Sequence, residues 1–194
     1  MKTNRIVFAA ATAAVATVLI LFVATSGRVA AEELKSGPLV GQEVPGPFHP
    51  LNINGEKAGE KNCLFCQNGT NPVAMVFARS NSPELTALVK KLDACTAKHG
   101  DRKMGSFVVY LSDEEKLAAE LKELAAKEGL KKIVLSIDNP PGPKEYKVAK
   151  DADVTVVLYT DHVVKANRAF KKGELKAKDI DAIVADVAKI LPQK

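Results

Sequence analysis

The chain has 194 residues, 46% of them hydrophobic, with 28 Lys and Arg against 23 Asp and Glu for a formal net charge of +5. That length holds one globular domain with a real core and needs no structural metal to fold. Residues 1–31 carry Lys2, Arg5 and Arg28 and no acid, so the remainder keeps 25 basic against 23 acidic residues, a net of +2. The remaining lysines are mixed with glutamates along helices, as on solvated faces, which sets a nucleic-acid footprint aside.

Lys2 and Arg5 precede an uncharged apolar run from Ile6 to Ala24, and Val29-Ala30-Ala31 before Glu32 fits the small-residue pattern of a signal-peptidase site. Residues 1–31 are expected to be a signal peptide or, since about nineteen apolar residues can span a bilayer, an uncleaved N-terminal membrane anchor. Either way the protein is expected to be exported: periplasmic or extracytoplasmic, secreted or membrane-anchored. Thiols that meet outside the reducing cytosol are usually oxidised, and three cysteines allow one bridge and one leftover thiol.

Residues 32–72 form an irregular N-terminal segment, with a short edge strand expected over 51–55 and a loop holding Cys63-Leu64-Phe65-Cys66. Residues 73–194 form the regular core. Val73 to Arg79 has the unbroken apolar character of a strand buried on both faces. Ser82 caps a helix with Pro83 at its first position and a stripe of Leu85, Leu88, Val89, Leu92 and Cys95, stopped at Gly100. Phe107 to Leu111 is the next strand. Ser112 and Glu115 have capping-box spacing ahead of a second helix carrying Leu117, Leu121 and Leu124 and ending at Gly129. Ile133 to Ile137 is a third strand, and the prolines of 139–143 exclude helix before a short turn around 144–148. Val154 to Tyr159 and Val163 to Phe170 form a hairpin about Asp161-His162, and a last helix lines up Ile180, Ile183, Val184, Val187, Ile190 and Leu191. Strand and helix alternate early and a hairpin closes the chain, so the class is α/β: a central mixed sheet in three layers with helices on both faces.

This order, from about residue 38 to 191, resembles the thioredoxin-like superfamily in its redoxin or peroxiredoxin-like branch. Val40-Gly41-Gln42-Glu43-Val44-Pro45, Phe48 and Asn54-Gly55 resemble the redoxin opening, and Val76-Phe77-Ala78 resembles the first core strand. Ile133 to Asp138 resembles the extra redoxin strand, Tyr146-Lys147-Val148 the tyrosine-x-valine landmark, and Thr155 to Tyr159 the strand after the cis-proline. Where that family carries its working cysteine, this chain reads Arg79-Ser80-Asn81-Ser82-Pro83-Glu84, and Val154 stands at the cis-proline position. The usual active-site thiols are missing.

The dithiol Cys63/Cys66 instead lies ahead of the strand. Three readings stay open: a displaced redox pair exchanging disulfides with another thiol protein, a structural bridge in a non-catalytic binding module, or a Cys/His metal carrier such as one for copper. For exchange, Asn62 is the expected helix cap and Cys63 the favoured attacking thiol. For metal, Cys63, Cys66 and His49 are the weak candidates, short of the four donors of a structural zinc site. Cys95 is expected to be a buried free thiol, His99 to close its helix, and His162 to sit at a hairpin tip on the surface. Gln67 stands where covalent haem attachment needs His, and no cofactor is assigned.

Overall fold

Val73–Ala78 is buried at all six positions, and the architecture follows from covering both of its faces. The computed structural model describes residues 34–192; the signal peptide or anchor expected over 1–31 lies outside the described residues. Among the described residues no helix is long and apolar enough to cross a membrane.

The strands are β1 (Leu51–Asn52), β2 (Val73–Ala78), β3 (Gly105–Leu111), β4 (Val134–Asp138), β5 (Val154–Thr160) and β6 (Val163–Phe170). The helices are α1 (Leu64–Asn68), α2 (Pro83–Lys98), α3 (Leu117–Glu128) and α4 (Ala177–Asp186). One six-stranded sheet has the order β1-β4-β3-β2-β5-β6. β2, β3 and β4 run parallel, while β5 lies antiparallel to β2 and β1 antiparallel to β4.

Because strand side chains alternate, β2 feeds two cores. Ala74, Val76 and Ala78 join the larger one with Leu85, Leu88, Val89 and Leu92 of α2, Leu117 and Leu121 of α3, and Ile180 and Ile183 of α4. Val73, Met75 and Phe77 join the second with Val44, Phe48, Leu64 of α1, Tyr146 and Tyr159. The three long helices thus share one face. The other is covered by the N-terminal segment, the short α1 and a single 3-10 turn, Lys144–Tyr146.

Several boundaries differ from the sequence reading. The second helix does not start from a box at Ser112: that hydroxyl accepts the Glu114 N–H as a local turn, and α3 begins at Leu117. The edge strand is two residues long, because at Asn54 the side chain replaces the backbone ladder, donating to Ile133 O and accepting from Leu135 N. Arg79 leaves β2 and turns its side chain elsewhere. The last helix tightens into a 3-10 turn at Val187–Lys189, which still buries Val187 and Ile190.

Candidate functional site

Cys63 and Cys66 are joined by a disulfide, with Cα atoms 5.2 Å apart. Cys63 is itself the N-cap of α1: its backbone is extended, and its Sγ accepts the Cys66 N–H at 3.0 Å. The cap expected at Asn62 is corrected, since the bridge already holds the Cys63 sulfur over the first turn; Asn62 donates to Gln67 Oε1 at 2.9 Å. A five-residue helix does not sustain itself in water, so side chains must hold α1. Leu64 is buried in the second core, the Asn68 amide donates to Leu64 O at 2.7 Å, and Gly69, with φ 53°, donates to Phe65 O at 3.1 Å.

Four residues after α1 the chain enters β2, and this places the bridge. Pro72 O accepts from Gly105 N at the start of β3, and Thr70 O accepts from Asp161 N at the tip of the β5–β6 hairpin. The bridge therefore lies where β2 begins and β5 ends, since Val73 pairs with Tyr159. α2 leaves the opposite end of β2, where Ala78 pairs with Val154, about 20 Å away along six extended residues.

The two cysteines are unequal. Cys63 is 7% exposed, whereas Cys66 faces solvent. Phe65 between them packs against two aromatic rings: Tyr159, with centroids 6.3 Å apart, and His162, with centroids 4.8 Å apart and planes 33° from parallel. The Tyr159 hydroxyl is buried without a hydrogen-bond partner among the described residues, and burial, with Tyr146 nearby, pushes its pKa up. His162, expected on the surface at a hairpin tip, is half-buried against Phe65. Its signal was topological: a hairpin tip following a strand antiparallel to β2 must fall at the end where β2 begins.

No protein-family model and no curated protein sequence matches this chain. Solved structures do match in shape. A candidate protein disulfide isomerase from Bacteroides thetaiotaomicron matches with a TM-score of 0.62 and 12% identity, over 82% of this chain and 96% of its own. The reduced 2-Cys peroxiredoxin of Plasmodium vivax matches at 0.59 and 19% identity, over 78% and 81%. A secreted disulfide oxidoreductase from Mycobacterium tuberculosis matches at 0.52 and 12% identity, over 72% and 95%. The fold is thioredoxin-like.

The corner at Arg79 to Glu84, where the sequence resemblance expects a working cysteine and this chain has none, is tied together by hydrogen bonds. The Arg79 guanidinium donates to three backbone carbonyls, Pro140 O at 2.6 Å, Ala152 O at 3.1 Å and Ala149 O at 3.3 Å. Ser80 Oγ donates to the Asp153 carboxylate at 2.8 Å, and Arg79 N to Asp153 O at 2.9 Å. Ser82 caps α2 by accepting from Leu85 N at 3.1 Å. Val154, which the resemblance aligns with a cis-proline, opens β5, and no peptide bond among the described residues is cis. Arg79 and Ser80 thus tie the end of β2 to the 140–153 loop.

The other candidates fall elsewhere. Cys95 is a free thiol, half-buried at the margin of the larger core and not buried as expected, because the α2 stripe turns onto Thr96; burial raises its pKa. His99 caps the C-terminus of α2. His49 is exposed, and among the described residues no three His, Cys, Asp or Glu side chains are grouped to hold a metal ion.

Proposed function

We propose that this thioredoxin-fold protein exchanges disulfides with another thiol protein through Cys63 and Cys66. The observation that carries the proposal is the unequal exposure of the bridge, one sulfur residue in solvent and the other buried at a helix cap. A partner thiolate approaches Cys66, and its sulfur attacks Cys66 Sγ in line with the existing S–S bond. That bond breaks, its electron pair stays on Cys63 Sγ, and the new bond joins the partner to Cys66. The departing Cys63 thiolate is stabilised by the Cys66 N–H, which already points at its sulfur from 3.0 Å. A second partner thiolate then attacks the partner's own sulfur in the mixed disulfide, releasing Cys66. Two electrons have passed from the partner's dithiol to this pair, and the same steps reversed would reduce a partner. In this scheme Cys66 meets the partner and Cys63 resolves, the reverse of the order that the capped position favours.

The disulfide oxidoreductase among the structural neighbours supports this reaction class, and the leader supports an extracytoplasmic setting. The test is trapping. Cys63→Ser should accumulate a mixed disulfide through Cys66, and Cys66→Ser should trap much less through the buried Cys63. Equal absence of adducts from both variants would defeat the proposal. Fractionation with N-terminal sequencing of the native protein checks the location; a cytosolic protein retaining Met1 would contradict it.

A second reading has its own observation. The pair lies across the sheet from the fold's usual dithiol corner, and Leu64 already anchors the turn. There the bridge is a staple in a non-catalytic binding module, and both serine variants lose stability without forming adducts.

A further inference from the structure

We propose that His162 is a positioning residue for the Cys63/Cys66 bridge, holding the redox turn closed through Phe65. The inference rests on the exchange reading above and names what sets the balance between its open and closed forms.

The β5–β6 hairpin turns on two residues, Asp161 and His162, both in the left-handed region at φ 51° and 61°. A two-residue hairpin loop of this kind favours Asn-Gly, because the second position suits a residue without Cβ. A histidine is uncommon there, and such a conformation persists where the surrounding structure over-determines it. The His162 ring lies 4.8 Å, centroid to centroid, from Phe65, the residue between the two sulfurs. The turn is also clamped on both flanks: Val44 N donates to His162 O at 2.8 Å, and Asp161 N donates to Thr70 O at 2.9 Å, just beyond α1. The ring is thus presented to the redox turn from a fixed frame.

The consequence appears when the bridge opens. Reduction removes the covalent tie across α1, and a five-residue helix left to itself unwinds. Leu64 holds one side of the turn in the core, and the His162 ring holds Phe65 on the other. With both in place the two thiols stay within reach, and the effective concentration of one at the other remains high. Without the ring the reduced loop gains open conformers, and closure becomes less favourable.

The test is the equilibrium constant for bridge formation in dithiothreitol buffers, which reach even a bridge that glutathione cannot reduce. An aromatic contact of this kind implies a loss of about two- to tenfold in that constant for His162→Ala and His162→Gly, and tenfold is about 30 mV for two electrons. Gly suits the left-handed turn, so a loss in His162→Gly reports the missing ring and not a broken hairpin. His162→Phe keeps a flat ring and should stay within about twofold of the parent, below the smallest loss an aromatic contact implies. Unchanged constants in the Gly and Ala variants, or a Phe variant that falls as far as Ala, would overturn the proposal. Failure of the exchange reading appears separately, as a bridge that equilibrates with dithiothreitol yet forms no adduct with a thiol protein.

Discussion

Replacing Arg79 by Ala removes a guanidinium whose three donors hold Pro140 O, Ala149 O and Ala152 O and leaves those carbonyls to find water. Hydrogen bonds to a charged donor contribute about 1.5–3 kcal/mol each. The three share one side chain that is partly exposed, so they do not add, and a loss of about 2–4 kcal/mol is expected. Arg79→Lys keeps the charge but gathers its donors on one compact nitrogen in place of a planar fork, and should recover less than half of that. Urea titration followed by circular dichroism measures it: the midpoint falls while the slope stays, because the surface exposed on unfolding is unchanged. Exchange at Cys63/Cys66, about 20 Å away along β2, should keep the parent rate. A stability change below about 0.5 kcal/mol, the range of an ordinary surface substitution, would refute the assignment of this corner to cohesion; so would a slowed exchange reaction.

Other substitutions probe the rest of the frame. Gly105 faces the Asn68 amide, and a Cβ there would occupy the place of its oxygen, so Gly105→Ala should displace the bond to Leu64 O, cost about 1 kcal/mol and speed amide exchange across α1. Asp93 Oδ1 accepts the N–H groups of Lys131, Lys132 and Ile133 at 3.0, 2.7 and 2.8 Å, so Asp93→Ala should lose about 2–3 kcal/mol in a urea titration and Asp93→Asn about half as much. Burial alone would raise the Asp186 pKa, but hydrogen bonds from Lys189 and Arg168 outweigh it and hold the group below its ordinary 3.8. The unfolded chain then binds the proton more readily, so the Asp186 contribution is complete above about pH 5 and is lost as pH falls through 3.8 toward the lower folded value. Stability measured from pH 6 to 2.5 should decline less steeply at the acid end in Asp186→Asn than in the parent.

The core was legible because periodicity survives without neighbours. The unbroken run of β2, the Ser82-Pro83 start and Gly129 stop of helices, and the one-sided stripe of α4 all carry their burial in the sequence. The site was less legible. Cys63-x-x-Cys66 is visible at once, but its end of the sheet depends on which strand it feeds and on the antiparallel return of β5, a property of topology. Asn62 has the better cap chemistry, yet the bridge delivers the Cys63 sulfur to that place. His162 looked solvated because its partner, Phe65, is 97 residues away in sequence and adjacent only through the sheet. Arg79 reads as the residue before a missing thiol, while its three carbonyl partners lie 61 to 73 residues on in the chain and meet it only through the fold.

The reduction potential of the Cys63/Cys66 couple bears most directly on whether this bridge works or merely staples. An exchanging pair with one exposed sulfur and a hydrogen-bonded leaving thiolate should poise above about −300 mV, within reach of thiol-protein partners. A value well below that, with Cys66 inert to added thiol proteins, would contradict exchange and leave a bridged thioredoxin-like scaffold.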